Sequence, residues 1–251
     1  MKISYLYAVF IASASVLAAQ DAFSHQVDID DAMLDRQSVE YPSSFNVAKR
    51  HGWTIYADNQ VDQYCGCTYT RRGSGARIDL ESCGYEIRRN ETRASRIEWE
   101  HTVPAENLGR QFSCWKEGGR DYCNKTDVDF RNAHNDLHNL IPVLGEVNAD
   151  RSNYRFDVIP GESSDYGACD FQVDRGTRRA EPPDHMKGDV ARIHFYMRDH
   201  HGLRLSQQQE RLYSIWHRQD PVDIWEQIRD ERIRLIQGNS NPWVSVAGKT
   251  H

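Results

Sequence analysis

The chain has 251 residues, of which 27% are charged, and its formal net charge is −6. This balance excludes a protein that binds nucleic acid over its whole surface, because such proteins are strongly basic, so any phosphate-binding surface must be local. The length suits one large domain or two small ones, and the sequence shows no internal repeat.

Residues 1–20 have the pattern of a secretory signal peptide. Lys2 supplies a positive start, Tyr5–Leu17 an apolar stretch, and Ala18 and Ala19 the small residues of a cleavage site. Serine residues interrupt the apolar stretch, which leaves it too short for a membrane anchor. We therefore expect an exported protein that does not associate with a membrane.

The segment before residue 97 is rich in arginine, whose planar fork suits phosphate recognition. Each of these arginines could simply lie on a solvated face, but their clustering next to a candidate site favours contact with substrate. The cluster consists of Arg71, Arg72, Arg77, Arg88, Arg89, Arg93 and Arg96, against the acidic residues Asp79, Glu81, Glu86 and Glu91.

A predicted strand ends at Glu100 and His101, where a carboxylate stands directly beside an imidazole. Alternation along the strand places Glu98 and Glu100 on one side and Trp99 and His101 on the other. Pro104 ends the strand and could begin a helix. The pair is a candidate catalytic site, and a half-exposed strand end is the alternative.

Six cysteines in an exported protein predict disulfides rather than metal thiolates, with a four-cysteine zinc site as the alternative. We expect a local bridge between Cys114 and Cys123, which would close the segment that contains Gly118, Gly119 and Arg120. The remaining cysteines should form two longer bridges: Cys65, Cys67, Cys83 and Cys169.

Helical spacing and capping residues predict several helices in the second half of the chain, and Pro142 and Gly238 are expected to end two of them. The region from 148 to 183 is rich in Gly, Pro, Ser and Asp, a composition that predicts loops and short strands. The fold class is therefore α+β, with more helix than strand. The helices are predicted over Thr126–Leu140, Gly188–His200, Ser206–Trp216 and Val222–Gln237.

Four sequence blocks occur in a specific order and spacing. They are Glu98-Trp99-Glu100-His101-x-Val103-Pro104-Ala105, Cys114-Trp115-x-x-Gly118-Gly119-Arg120, Asp136-Leu137-His138-Asn139-Leu140-x-Pro142 and Gly145-Glu146-Val147-Asn148. Through these blocks the chain resembles the bacterial endonuclease I family of periplasmic or secreted nucleases. The resemblance implies a single α+β domain over residues 21–251 with a ββα-metal (His-Me finger) core, mostly helical surroundings and stabilising disulfides.

The resemblance also implies roles for individual residues. His101 would be the general base, since imidazole titrates near neutral pH, and Arg120 would bind the scissile phosphate. Glu100 and Asn139 would hold one Mg²⁺ through hard oxygen ligands, and Mn²⁺ is expected to substitute. A helix C-cap is the alternative role for Asn139.

One departure from the family pattern lies before Asp136. The family carries an acidic residue and an alanine there, whereas this chain carries His134 and Asn135, which leaves open what supports the metal. Later histidines lack the spacing of a zinc site, and we expect them to lie on the surface or pack in the core: His185, His194, His200 and His201.

The function implied by the resemblance is a metal-dependent endonuclease that cleaves DNA, with RNA as a second candidate substrate. No base-reading motif is present, so little sequence preference is expected. We expect a monomer in the periplasm or outside the cell. The alternatives are an exported polyanion-binding protein without chemistry, and a metallohydrolase of another bond; the absence of His-Glu-x-x-His disfavours a zinc protease.

Overall fold

The computed structural model describes residues 38–161 and 165–245. The predicted signal peptide, residues 1–20, lies outside the described residues, so the division of the chain into a signal and a domain over 21–251 stays a prediction. From Glu40 onward the described residues form one compact unit. No helix in these two ranges is both long enough and apolar enough to cross a bilayer.

Helix dominates the described chain, and the strands are short, which confirms the predicted α+β class. The helices are α1 (Phe45–Ile55), α2 (Glu91–Ala94), α3 (Ala105–Gly109), α4 (Trp115–Thr126), α5 (Val128–Asn135), α6 (Gly145–Arg151), α7 (Asp184–His201), α8 (Gln207–Gln219), α9 (Ile224–Gln237) and α10 (Pro242–Ser245). The strands are β1 (Tyr69–Arg72), β2 (Gly75–Ile78), β3 (Ile97–His101), β4 (Leu140–Leu144), β5 (Arg155–Phe156), β6 (Gln172–Asp174) and β7 (Arg179–Glu181).

Strands β3 and β4 form an antiparallel pair, and α6 follows β4 directly. This succession of two antiparallel strands and a helix is the ββα arrangement that the resemblance implies. In the register, Glu100 lies opposite Ile141 and His101 lies opposite Leu140. Two further small sheets are formed by β1–β2 and by β5–β7–β6.

The predicted helix over Thr126–Leu140 is wrong in its second half. Helix α5 ends at Asn135, and Asp136 adopts an extended backbone and accepts a hydrogen bond from the backbone N–H of His138 at 2.9 Å. Leu140 then begins β4. Pro142 fits inside this strand because its carbonyl points away from β3, toward the backbone N–H of Gln63, so the strand pair needs no N–H at this position.

Helix α6 is anchored on the side opposite β3. Glu146 accepts hydrogen bonds from three consecutive backbone N–H groups, and the phenol of Tyr85 donates a fourth. Gly145 lets the helix begin close to α2 and β3, since a Cβ here would lie 2.7 Å from the carbonyl oxygen of Arg93 and 3.0 Å from the side chain of Glu98. These contacts fix α6 relative to the strand that carries the candidate site. The three consecutive donors are Arg88, Arg89 and Asn90.

The later helices and the disulfides agree with the sequence predictions. Ser206 and Gln209 form the capping box of α8, and Gly238 ends α9 in the left-handed conformation. The predicted Cys114–Cys123 bridge is confirmed, and the other cysteines form the two longer bridges Cys65–Cys169 and Cys67–Cys83.

Candidate active site

The alternation of β3 gives its two faces different partners, as predicted. On one face, Glu98 accepts a hydrogen bond from Asn148 and Glu100 accepts one from Arg151, and these partners are one turn apart on α6. On the other face, the ring of Trp99 packs against Trp53, and that of His101 packs against Phe45. The strand therefore ends with a carboxylate and an imidazole whose side chains lie on opposite faces of the strand and pack against different elements.

A cavity of about 370 Å³ lies at this end of β3. Three of the four site residues predicted from the sequence line it: Glu100, His101 and Arg120. A second cavity of about 410 Å³ adjoins it through Phe45 and Arg120. The structure therefore brings together the predicted base, one predicted metal ligand and the predicted phosphate-binding arginine.

His101 is half-buried and stacks on Phe45 at a centroid distance of 4.9 Å. Its Nε2 lies 2.8 Å from the carbonyl oxygen of His134. A carbonyl oxygen can only accept, so Nε2 carries the proton and Nδ1 keeps the lone pair. Burial, together with the neighbouring imidazole of His134, lowers the pKa of His101 well below its ordinary value. The imidazole is therefore neutral and able to accept a proton.

Glu100 is 4% exposed. One of its oxygens accepts a hydrogen bond of 2.6 Å from Arg151, whose guanidinium also donates to the backbone carbonyls of His101 and Thr102. Burial raises the pKa of Glu100 to about 7, although the positive charge of Arg151 acts to lower it. The second carboxylate oxygen remains for another cationic partner.

Arg120 reaches the cavity from a break in α4. Gly118 and Gly119 have non-helical backbone angles, and Gly119 has a φ of 62° and a ψ of −148°, a combination that residues with a side chain disfavour. The helix therefore kinks immediately before Arg120. Among the described residues, none of the ion pairs includes Arg120, which leaves its guanidinium free to bind an anion.

The Cys114–Cys123 disulfide spans this kink, and the segment is helical on both sides of it instead of an open loop. Replacing both cysteines with serine is expected to lower the free energy of unfolding by about 3 kcal/mol in the chain-entropy model of a loop this short. It should also lower the cleavage rate, because the kink that orients Arg120 loses its cross-link. Circular dichroism and plasmid cleavage measure the two effects.

The matched control removes a disulfide that lies outside the cavity, through Cys67→Ser together with Cys83→Ser. This control is expected to lose stability while its cleavage rate, measured where the protein is folded, stays near that of the parent. If both double variants lose rate equally, or if the Cys114/Cys123 variant keeps the parental rate, the disulfide has no specific role in positioning Arg120.

Asn139 does not line the cavity. Its side chain is fully buried, its Oδ1 accepts a hydrogen bond from the backbone N–H of Val103, and its Nδ2 donates to the carbonyl of the same residue. Both polar atoms thus hold the turn that follows β3. The geometry argues against the metal-ligand role that the resemblance implied for Asn139. It also differs from the cap of a long helix, because α5 ends at Asn135 and Asn139 is the last residue of a three-residue turn.

Asn148 lies in the cavity instead, next to Glu100. Its Nδ2 donates to Glu98 at 2.9 Å. Glu98 also accepts hydrogen bonds from Arg93 and Arg96, which keep its pKa below the ordinary value although burial opposes this. An ionised Glu98 can only accept hydrogen bonds, so it must face the NH₂ group of Asn148. This orientation leaves the Oδ1 of Asn148 available. Sequence analysis missed this residue and Arg151.

The arginine cluster divides into two groups. Four of its members form ion pairs within the protein: Arg88 and Arg89 with Asp150, and Arg93 and Arg96 with Glu98. These arginines hold α6 and β3 in place, which corrects the expectation that the whole cluster faces substrate. The remaining three lie on the β1–β2 hairpin and stay candidates for phosphate contact: Arg71, Arg72 and Arg77.

Comparison with known proteins shows the family of the chain. The family model described as Endonuclease I matches residues 40–247. An extracellular deoxyribonuclease of Aeromonas hydrophila is 44% identical over 81% of this chain and 90% of its own length. A periplasmic deoxyribonuclease of the same species is 44% identical over 80% of this chain and 85% of its length.

A third relative, Endonuclease-1 of Buchnera aphidicola subsp. Baizongia pistaciae (strain Bp), is 42% identical over 81% of this chain and 84% of its length. The predicted location, in the periplasm or outside the cell, is confirmed by these relatives. The match to the family model covers most of the chain and includes every block on which the resemblance rested. The chain belongs to the endonuclease I family.

Proposed function

We propose that the protein is a periplasmic or extracellular, Mg²⁺-dependent endonuclease that hydrolyses phosphodiester bonds of DNA, with RNA as a second candidate substrate. The observation that carries this proposal is the convergence on one cavity of a neutral imidazole, a buried carboxylate and a guanidinium that forms no ion pair with the described residues. Metal-dependent hydrolysis of a phosphodiester uses a base for water, a cationic partner for the phosphate and a divalent ion; the imidazole and the guanidinium match the first two, and the carboxylate is a ligand for the third.

Glu100 and Asn148 would hold the ion. One is a carboxylate and the other an amide with its oxygen available, and oxygen donors of this kind suit Mg²⁺ and Mn²⁺. The buried position of Glu100 supports the fit, because its negative charge is poorly solvated and is favoured by a cation. A bound divalent ion supplies charge neutralisation at the phosphate and at the leaving oxygen.

His101 acts as the general base. Its Nε2–H is fixed on the carbonyl of His134, so Nδ1 accepts the proton of the attacking water. Arg120 binds the non-bridging oxygens of the scissile phosphate and stabilises the added negative charge. Arg151 holds Glu100 in place without occupying both of its oxygens.

The polar lining of the cavity favours recognition of the backbone over recognition of bases. Arg120 lines the cavity beside Arg93 and Arg151, which are paired with Glu98 and Glu100, and phosphate contacts such as the one proposed for Arg120 carry no sequence information. Little sequence preference is therefore proposed. A polyanion-binding protein without chemistry would not need the neutral imidazole beside a buried carboxylate, which is why hydrolysis is preferred.

The test is nicking of supercoiled plasmid by purified protein. Cleavage is expected with Mg²⁺, to stop when excess EDTA is added, and to return when Mg²⁺ or Mn²⁺ is restored, with Zn²⁺ less effective because the proposed ligands are oxygens. An RNA transcript assayed with the same preparation decides the second substrate. Plasmid binding without nicking would favour the polyanion-binding alternative, and nicking that persists in EDTA would rule out the ion.

A further inference from the structure

Asp136, His200 and His201 form a cluster that the sequence did not predict. One ligand atom from each of them lies within 4.8 Å of the other two. His200 and His201 end α7, where consecutive side chains normally diverge, yet both turn toward the carboxylate at the start of the turn before β4. His201 is hydrogen-bonded to the buried carboxylate of Asp136, and His200 offers a ring nitrogen within 4.8 Å of both, so the three side chains meet at one place instead of serving only as surface or packing residues.

We propose that Asp136, His200 and His201 bind a zinc ion that ties the end of α7 to the turn preceding β4. Two imidazoles and one carboxylate are a common zinc ligand set, and a water completes the tetrahedron. Imidazole nitrogen favours zinc over Mg²⁺, and zinc binds such sites more tightly than Mn²⁺ or Fe²⁺. The proposal is independent of the nuclease ion, since none of the three residues lines the 370 Å³ cavity.

The surroundings of Asp136 resemble the outer shell of a metal site. Its Oδ1 accepts hydrogen bonds from the backbone of His138 and from Gln237, and its Oδ2 accepts one from the phenol of Tyr196. Such partners orient a ligating carboxylate. His201 Nε2 lies 2.7 Å from the same Oδ2 as a hydrogen bond, so the proton on Nε2 must pass to Nδ1 or to solvent when both atoms bind the ion.

Small rotations of side chains would complete the site. Ligand atoms of a tetrahedral zinc ion lie about 3.3 Å apart, given metal–ligand distances of about 2.0–2.1 Å. The distance between His201 Nε2 and Asp136 Oδ2, now 2.7 Å, must therefore increase slightly, and any pair of ligand atoms separated by up to 4.8 Å must move closer together. His200 is exposed and its Nε2 now bonds the hydroxyl of Tyr41, so its imidazole can turn without disturbing the core.

Zinc titration of chelator-treated, dialysed protein tests the proposal, with isothermal calorimetry as the measurement. The variant is His200→Gln, which removes an exposed ligand and leaves the buried carboxylate in place. Compared with the parent, His200→Gln is expected to lose one zinc equivalent or to bind it at least about 10-fold more weakly. Saturating zinc at about 100 times its Kd should raise the Tm of the parent by about 5–10 °C, and that of His200→Gln by less.

The control is His51→Gln, which removes a half-buried histidine from α1, outside the cluster. It should bind zinc as the parent does. The Co²⁺-substituted parent should show the intense visible absorption of a four-coordinate ion, and His200→Gln should not. Equal zinc stoichiometry and affinity in the parent and His200→Gln, an equal loss in the control, or no binding by the parent would overturn the proposal.

Discussion

Replacing His101 with alanine is expected to lower plasmid cleavage by about 10²–10⁴-fold, the usual effect of removing a positioned general base. The imidazole is neutral in this environment, and its Nε2–H is committed to the carbonyl of His134. No other histidine lines the 370 Å³ cavity among the described residues. A replacement base would therefore have to be a carboxylate of the cavity, Glu100 or Glu106, or come from solvent.

DNA binding and folding should change little in this variant, because the phosphate contacts come from Arg120 and neighbouring cations and because His101 is only half-buried. Filter binding in EDTA and circular dichroism check both points. His51→Ala, which removes a half-buried histidine outside the cavity, is the matched control. Parental cleavage by His101→Ala would show that the base is another group, and a loss of binding equal to the loss of rate would assign His101 to substrate binding.

The candidate residues at the end of β3 could be named from the sequence because they are neighbours in the chain, and the resemblance to the endonuclease I family assigned their roles. Glu100 and His101 are adjacent, and the alternation of a strand is enough to place them on opposite faces. Arg120 was also named through the resemblance, and the structure adds that the Gly118-Gly119 pair before it breaks a helix. These residues needed no knowledge of the tertiary fold.

Features that depend on contacts between distant segments could not be predicted. The turn and strand after Asn135 replace a helix because Asp136 and Pro142 find partners on other elements, including Gln237 and Gln63. Likewise, Arg88 and Arg89 are committed to Asp150, about sixty residues later in the chain. Composition alone cannot distinguish such an internal ion pair from an exposed arginine that awaits a phosphate.

The choice between two asparagines shows the same limit. Asn139 and Asn148 both lie in blocks that match the family, and both carry the same functional group. Only the fold shows that the amide of Asn139 is consumed by Val103, while the amide of Asn148 is turned by Glu98 to present its oxygen. The sequence offered one indication of the role of Asn148: it follows Gly145, which begins a helix, and lies one turn before Arg151.

The second large effect is therefore expected at Asn148. Asn148→Ala should raise the Mg²⁺ concentration for half-maximal cleavage at least about 10-fold, since even residues that merely orient metal ligands contribute about 10–100-fold to affinity. It should leave the free energy of unfolding nearly unchanged, because the side chain lies partly exposed in the cavity and makes one hydrogen bond. Cleavage rates across a Mg²⁺ series and urea unfolding measure the two quantities.

Asn139→Ala should give the opposite pattern. It leaves the N–H and the carbonyl of Val103 without their partner in a fully buried turn, which costs about 1–3 kcal/mol of stability for each unsatisfied group. The protein that stays folded, assayed at low temperature, should keep the parental Mg²⁺ dependence, because Glu100 and Asn148 are intact. If instead Asn139→Ala shifts the Mg²⁺ dependence and Asn148→Ala does not, the ligand is Asn139, and the turn must open when the ion binds. The pair of variants thus separates a residue that holds the ion from one that holds the backbone, although both are asparagines near the same strand end.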